Sequence, residues 1–131
     1  MKYSHLIRVR YCECDPMGFV HHSVYAWYFE QARTEQMRNK GLSYKEMEEN
    51  GLIMPVRSMQ IEFKKAGRYD DVLRIEVLIP EKPTVRCIFL FETYNQQDEL
   101  LNTARMEMFY ARKLDLKPIK IPAIILEKYD F

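Results

Sequence analysis

The sequence predicts an α+β fold in which a curved antiparallel sheet wraps around one long central helix. Three observations carry this. Helical periodicity is sustained over only one long stretch, from about Ser23 to Gly41. Strand-like alternation fills most of the remainder, in runs whose short connections force antiparallel pairing. One helix cannot cover both faces of the resulting sheet, so the sheet curves around the helix. An edge strand and the far face are left for further copies of the chain, which predicts a homodimer or a homotetramer.

Taken in order, residues 5 to 13 alternate, with His5, Ile7, Val9 and Tyr11 against Arg8, Arg10 and Cys12, a period-2 strand. Asp15-Pro16-Met17-Gly18 breaks it with turn chemistry. The period then changes: Val24, Tyr25, Tyr28, Phe29 and Ala32 make one helical stripe, and Gln31, Thr34, Glu35 and Arg38 the opposite side. Gly41 stops that helix, and Ser43 caps a short second one through Glu49. Arg57, Met59, Ile61 and Phe63 alternate with polar neighbours, as do Leu73, Ile75, Val77 and Ile79. Residues 84 to 94 are apolar on both faces, as a central strand requires. Asn95 to Asp98 forms a hairpin connection, and Leu100, Ala104, Met106, Met108 and Tyr110 form one face of a long last strand. Pro122 precedes a short terminal helix.

The 131 residues suit a single domain, 1–131, and a chain of this length buries about two thirds of its unfolded surface. Lys plus Arg number 20 against 19 acidic residues, a net +1, which leaves no electrostatic footprint for nucleic acid. The start, Met-Lys-Tyr-Ser-His, has no apolar h-region, and no apolar run approaches the length of a membrane span, so a cytoplasmic protein is expected. Cys12, Cys14 and Cys87 are too few and odd in number for a disulfide framework. Cys12 and Cys14 with His21 and His22 raise the question of zinc. Cys-x-Cys is tighter than the usual structural spacing and adjacent histidines diverge, so packing is preferred and no metal is expected.

The stretch from Asp15 to Tyr25 concentrates the chemistry. A helix N-terminus offers free backbone N–H groups and a positive dipole end, and Asp15 and Gly18 stand just before one. A carboxylate on one side of a carbonyl and N–H donors on the other suit acyl transfer through a developing oxyanion. The residues alone also admit a plain reading: Asp15 before Pro16 as a turn residue, Tyr25 as core, and Glu30 with Arg33 as an exposed helical ion pair. The His21 and His22 side chains are open between capping, solvent exposure and orienting a water beside Asp15.

Asp15-x-x-Gly18-x-Val20-His21-His22-x-x-Tyr25, running into Phe29-Glu30-x-Ala32-Arg33-x-Glu35, resembles the hotdog-fold acyl-CoA thioesterases of the 4-hydroxybenzoyl-CoA thioesterase type. The small thioesterases associated with the Tol-Pal system are similar too, and a second match is the segment from Phe63 to Leu73, where Tyr69-Asp70-Asp71-Val72-Leu73 follows a strand ending near Lys64. The resemblance implies a hotdog fold and hydrolysis of an acyl-CoA to free acid and coenzyme A. It implies Asp15 as nucleophile or general base, the His22 backbone N–H as oxyanion donor, and Gly18, His21 and Tyr25 against the substrate. Coenzyme A is part of the substrate, so no cofactor is implied, and Lys64, Lys65 and Arg68 are candidates for its phosphates. Two other activities share this fold: a non-catalytic acyl-CoA or acyl-carrier binding module, and a dehydratase of hydroxyacyl thioesters. A retained Asp15 argues against the first, and the poorer match argues against the second.

Overall fold

The computed structural model describes residues 2–129. Strand β1 (Lys2–Arg8) is followed by a single 3-10 turn (Tyr11–Glu13), a loop, and helices α1 (Val24–Asn39) and α2 (Tyr44–Glu49). Then come β2 (Leu52–Ile53), β3 (Val56–Phe63), β4 (Val72–Leu78), β5 (Arg86–Tyr94), β6 (Leu100–Phe109), β7 (Ala111–Arg112) and α3 (Ala123–Leu126). A five-stranded antiparallel sheet has the order β1-β4-β5-β6-β3, and β2 and β7 pair as a small second sheet.

Register decides which side chains meet the helix. Val77 lies opposite Phe91, Phe91 opposite Ala104, and Ala104 opposite Ile61. One step along, Phe89 faces Met106, which faces Met59. Because side chains alternate along each strand, these rows share one face of the sheet. The α1 stripe of Tyr25, Tyr28, Phe29 and Ala32 is buried against it. Phe29 stacks on Phe91 with ring centroids 4.6 Å apart, at the middle of the core. The predicted fold class, a curved antiparallel sheet around one long helix, is the one observed.

Local departures have identifiable causes. The first strand ends at Arg8 rather than running to residue 13. There the Arg10 N–H donates to the Glu13 carboxylate at 2.7 Å and the Cys14 N–H returns to the Tyr11 carbonyl, which closes the 3-10 turn. Cys12 and Cys14 therefore do not share a strand face: Cys12 is exposed and Cys14 half-buried. An irregularity at Thr93–Tyr94 shifts the β5–β6 register, so Leu101 is fully buried, whereas Leu100, which alternation set on one face with Ala104 and Met106, is only half-buried. Arg33 is not in an exposed ion pair with Glu30. It is 7% exposed, forms no salt bridge among the described residues, and burial pushes its pKa down.

Candidate active site

The loop between the 3-10 turn and α1 is folded back on itself as a short hairpin. Cys14 bridges Val20, the Asp15 N–H donates to the Phe19 carbonyl at 2.7 Å, and the Gly18 N–H donates to the Asp15 carbonyl at 2.9 Å. Gly18 takes φ +82°, a left-handed conformation that costs a glycine little and lets the turn close. Inside this turn Asp15 Oδ1 accepts two backbone N–H groups, from Met17 at 2.9 Å and Phe19 at 3.1 Å. These bonds fix the plane of the carboxylate. Oδ2 has no hydrogen-bond partner among the described residues.

Beyond Val20 the chain enters α1. The Val24 N–H donates to the His21 carbonyl at 2.9 Å, and His21 Nδ1 accepts the Ser23 N–H at 3.2 Å and lies 2.7 Å from Ser23 Oγ. His21 thus ties down Ser23, the residue just ahead of the helix, and Ser23 makes no side-chain cap bond of its own. The His22 backbone N–H has no partner among the described residues, as expected of a donor ahead of the first helical turn. The two imidazoles lie against each other with centroids 4.2 Å apart.

A cavity of about 340 Å³ is lined by Asp15, Met17, Phe19, His22, Tyr25 and Phe63, with Val20 and residues 64–66 completing it. Of the residues singled out from the sequence, Asp15, His22 and Tyr25 line this space together. Gly18 sits between two lining residues, and His21 is turned to the helix end instead. A larger groove, about 740 Å³, runs on the sheet between Lys2, Glu62, Glu76, Glu92 and Arg105, away from the α1 N-terminus. It touches neither the Asp15 turn nor the α1 N-terminus, so the smaller cavity is the candidate site.

The wall opposite the loop comes from the β3–β4 connection. The Val20 N–H donates to the Gly67 carbonyl at 2.8 Å, and Phe19 bridges Arg68, whose guanidinium lies 4.9 Å from the Phe19 ring centroid. Gly67 is required by close approach: a Cβ there would lie 2.8 Å from the Tyr25 hydroxyl oxygen. Lys64 and Lys65 flank the cavity mouth, and Lys65 Nζ is paired with Glu99.

Sequence reasoning missed Glu13, two residues before Asp15 and only 6% exposed. Its carboxylate accepts the Arg10 N–H at 2.7 Å, the Tyr28 O–H at 2.9 Å and the Arg10 guanidinium at 3.1 Å, and its carbonyl accepts the His21 N–H at 2.9 Å. Burial pushes the Glu13 carboxyl up, but the hydrogen bonds from Arg10 and Tyr28 outweigh it and hold the group below its ordinary 4.5. The one available signal was spacing: Arg10 and Glu13 are three apart, as in a capping box.

A depressed carboxyl contributes stability that is present above its unfolded pKa and lost as pH falls through the folded value. Tyr28→Phe removes the buried O–H donor, raising the Glu13 pKa and shrinking that contribution. The variant should lose about 1–2 kcal/mol at neutral pH, and acid unfolding should begin at a higher pH than in the parent. Circular dichroism melts between pH 3 and 7 check this, and a superimposable acid limb would contradict the Glu13 anchor.

Known proteins share this architecture. The thioesterase-like superfamily model matches residues 9–129. Acyl-CoA thioester hydrolase YbgC of Escherichia coli O6:H1 is 29% identical over 123 residues, covering 94% of this chain and 92% of that protein. A DHNA-CoA thioesterase from Staphylococcus aureus superimposes with TM-score 0.87 at 30% identity, over 91% of this chain and 80% of that one. A protein from Aquifex aeolicus superimposes with TM-score 0.92 at 30% identity, over 98% and 99% of the two chains. Matched over nearly all the described residues, with the sheet wrapped around α1, the chain belongs to the thioesterase-like superfamily and has the hotdog fold.

Proposed function

We propose that the protein hydrolyses an acyl-CoA thioester to the free acid and coenzyme A, with Asp15 as nucleophile or general base and the His22 backbone N–H as oxyanion donor. The observation that carries this is the Asp15 carboxylate itself, with one oxygen fixed by two N–H groups and the other unpartnered in the cavity that His22 also lines. As general base, Oδ2 takes a proton from water while the hydroxide adds to the thioester carbon. As nucleophile it adds directly, giving a mixed anhydride that water then opens. In either route the carbonyl oxygen gains negative charge facing the His22 N–H at the positive end of α1. Collapse of the tetrahedral species expels the coenzyme A thiolate. Phe19, Val20, Tyr25 and Phe63 give the acyl group apolar walls, and Lys64 is placed at the mouth for the phosphates. Coenzyme A enters as part of the substrate, and these steps call on no further cofactor.

A homodimer supports the same site. Strand β3 is an edge of the sheet, exposed along most of its length, and presents Val56, Met59 and Phe63 to solvent at 49%, 37% and 51%. An unpaired edge with apolar side chains invites antiparallel addition of a second β3. Phe63 lies at the end of this strand and lines the cavity, so the partner would cover the cavity's open side.

Asp15→Asn keeps shape but removes the basic, nucleophilic oxygen. Turnover should fall at least about a hundredfold, with the dissociation constant for acyl-CoA largely preserved because the main-chain donor stays in place. Release of thiol from a panel of acyl-CoAs measures this, and a folded variant with near-normal turnover would remove Asp15 from the mechanism. Met59→Arg places a charge in the proposed β3–β3 seam. Light scattering should then report a monomer where the parent is a dimer, with activity lost alongside. A fully active monomeric parent would rule the shared site out.

A further inference from the structure

Asp71 and Gln96 form a hydrogen-bonded clasp that the mechanism leaves unused. Asp71 Oδ2 accepts the Arg68 N–H at 2.9 Å, and Asp71 Oδ1 accepts the Gln96 Nε2–H at 2.9 Å. Gln96 lies in the β5–β6 turn, and its Oε1 accepts the Val72 N–H at 3.1 Å. The Asp71 carbonyl also accepts the Val9 N–H at 2.9 Å, which ties the same residue to the end of β1. Three connections of the sheet are thereby joined at one residue.

The peptide run that this clasp holds, Gly67–Arg68, is the one the catalytic loop rests on. Val20 donates to Gly67, Phe19 bridges Arg68, and Phe19 exchanges hydrogen bonds with Asp15 through both its N–H and its carbonyl. Neither Asp71 nor Gln96 is among the residues lining the cavity. We propose that Asp71 and Gln96 are positioning residues, which set the orientation of the Asp15 carboxylate through Arg68 and Phe19 without touching substrate. This rests on Asp15 being the attacking or proton-accepting group.

The polarity of the clasp makes it testable. Asp71 contributes two acceptors, while Gln96 contributes one donor and one acceptor. In Asp71→Asn the new amide faces the Gln96 amide, donor against donor, and turning Gln96 over sets its N–H groups against the Val72 N–H. In Gln96→Glu, carboxylate faces carboxylate. In the double variant Asp71→Asn/Gln96→Glu, the new amide at position 71 donates to the new carboxylate at position 96. The Arg68 and Val72 N–H groups keep their acceptors, and the net charge is unchanged.

Each single variant should lower kcat about tenfold, within the range that a displaced catalytic group costs, with KM within about twofold of the parent. The double variant should return to within about threefold of parental kcat. Folding is monitored by thermal melting. A lower melting temperature with unchanged kcat per folded molecule, or a double variant no better than Gln96→Glu alone, would overturn the positioning role. The Gln96→Glu comparison decides the matter even where Asp71→Asn alone does not fold. Asp15→Asn, assayed alongside, separates the two ideas. If it is inactive while Asp71→Asn is fully active, only the positioning role falls; if it is itself fully active, both fall.

Discussion

The hydrogen bond from the Val20 N–H to the Gly67 carbonyl, 2.8 Å long, joins the loop ahead of α1 to the β3–β4 connection. The other features of the site follow from that contact. It sets Phe19 beside Arg68, and Phe19 in turn brackets Asp15 with one bond to its main chain and one to its carboxylate. It also brings Gly67 against the Tyr25 hydroxyl, so the α1 N-terminus and the loop are spaced by the same glycine. A backbone bond made between elements of a sheet and its helix does not depend on side-chain rotamers. That suits it to hold a carboxylate whose reactivity depends on orientation.

The Glu13 carboxylate secures the other flank. It links the Arg10 main chain and the α1 side chain Tyr28, while the carbonyl of the same residue holds His21. Asp15 and Glu13 are two residues apart and chemically alike, yet their surroundings divide their work. Glu13 is buried with its acceptors filled, whereas Asp15 keeps one oxygen open in a cavity. One carboxylate holds the loop while the other lines the cavity.

Much of the fold was legible because the relevant signals are periodic. The stripe Tyr25, Tyr28, Phe29 and Ala32 specified α1, and the alternation at Leu73, Ile75 and Val77 specified β4. Asp15, His22 and Tyr25 line one cavity because they span a single turn-to-helix junction of local geometry. What escaped was non-local or aperiodic. Alternation through residues 5 to 13 concealed the 3-10 turn, since the bond from Arg10 to Glu13 depends on Glu13 being drawn inward by Tyr28. The burial of Leu101 follows from a register shift, which period-2 counting cannot register. Arg33 carried the composition of a surface ion pair, but its place on α1 turned it into the interior. The His21 side chain was open between capping and a place beside Asp15, and only its bonds to Ser23 separate the two.

The central claim is geometric: a thioester carbonyl fits between the free oxygen of Asp15 and the His22 N–H. A crystal structure of the Asp15→Asn variant with an unhydrolysed acyl-CoA tests it most directly. The account predicts the thioester oxygen within about 3 Å of the His22 nitrogen, with the side chain at position 15 on the opposite face of the carbonyl carbon. A carbonyl oxygen held by any other donor, with His22 N–H still unpaired, would contradict it.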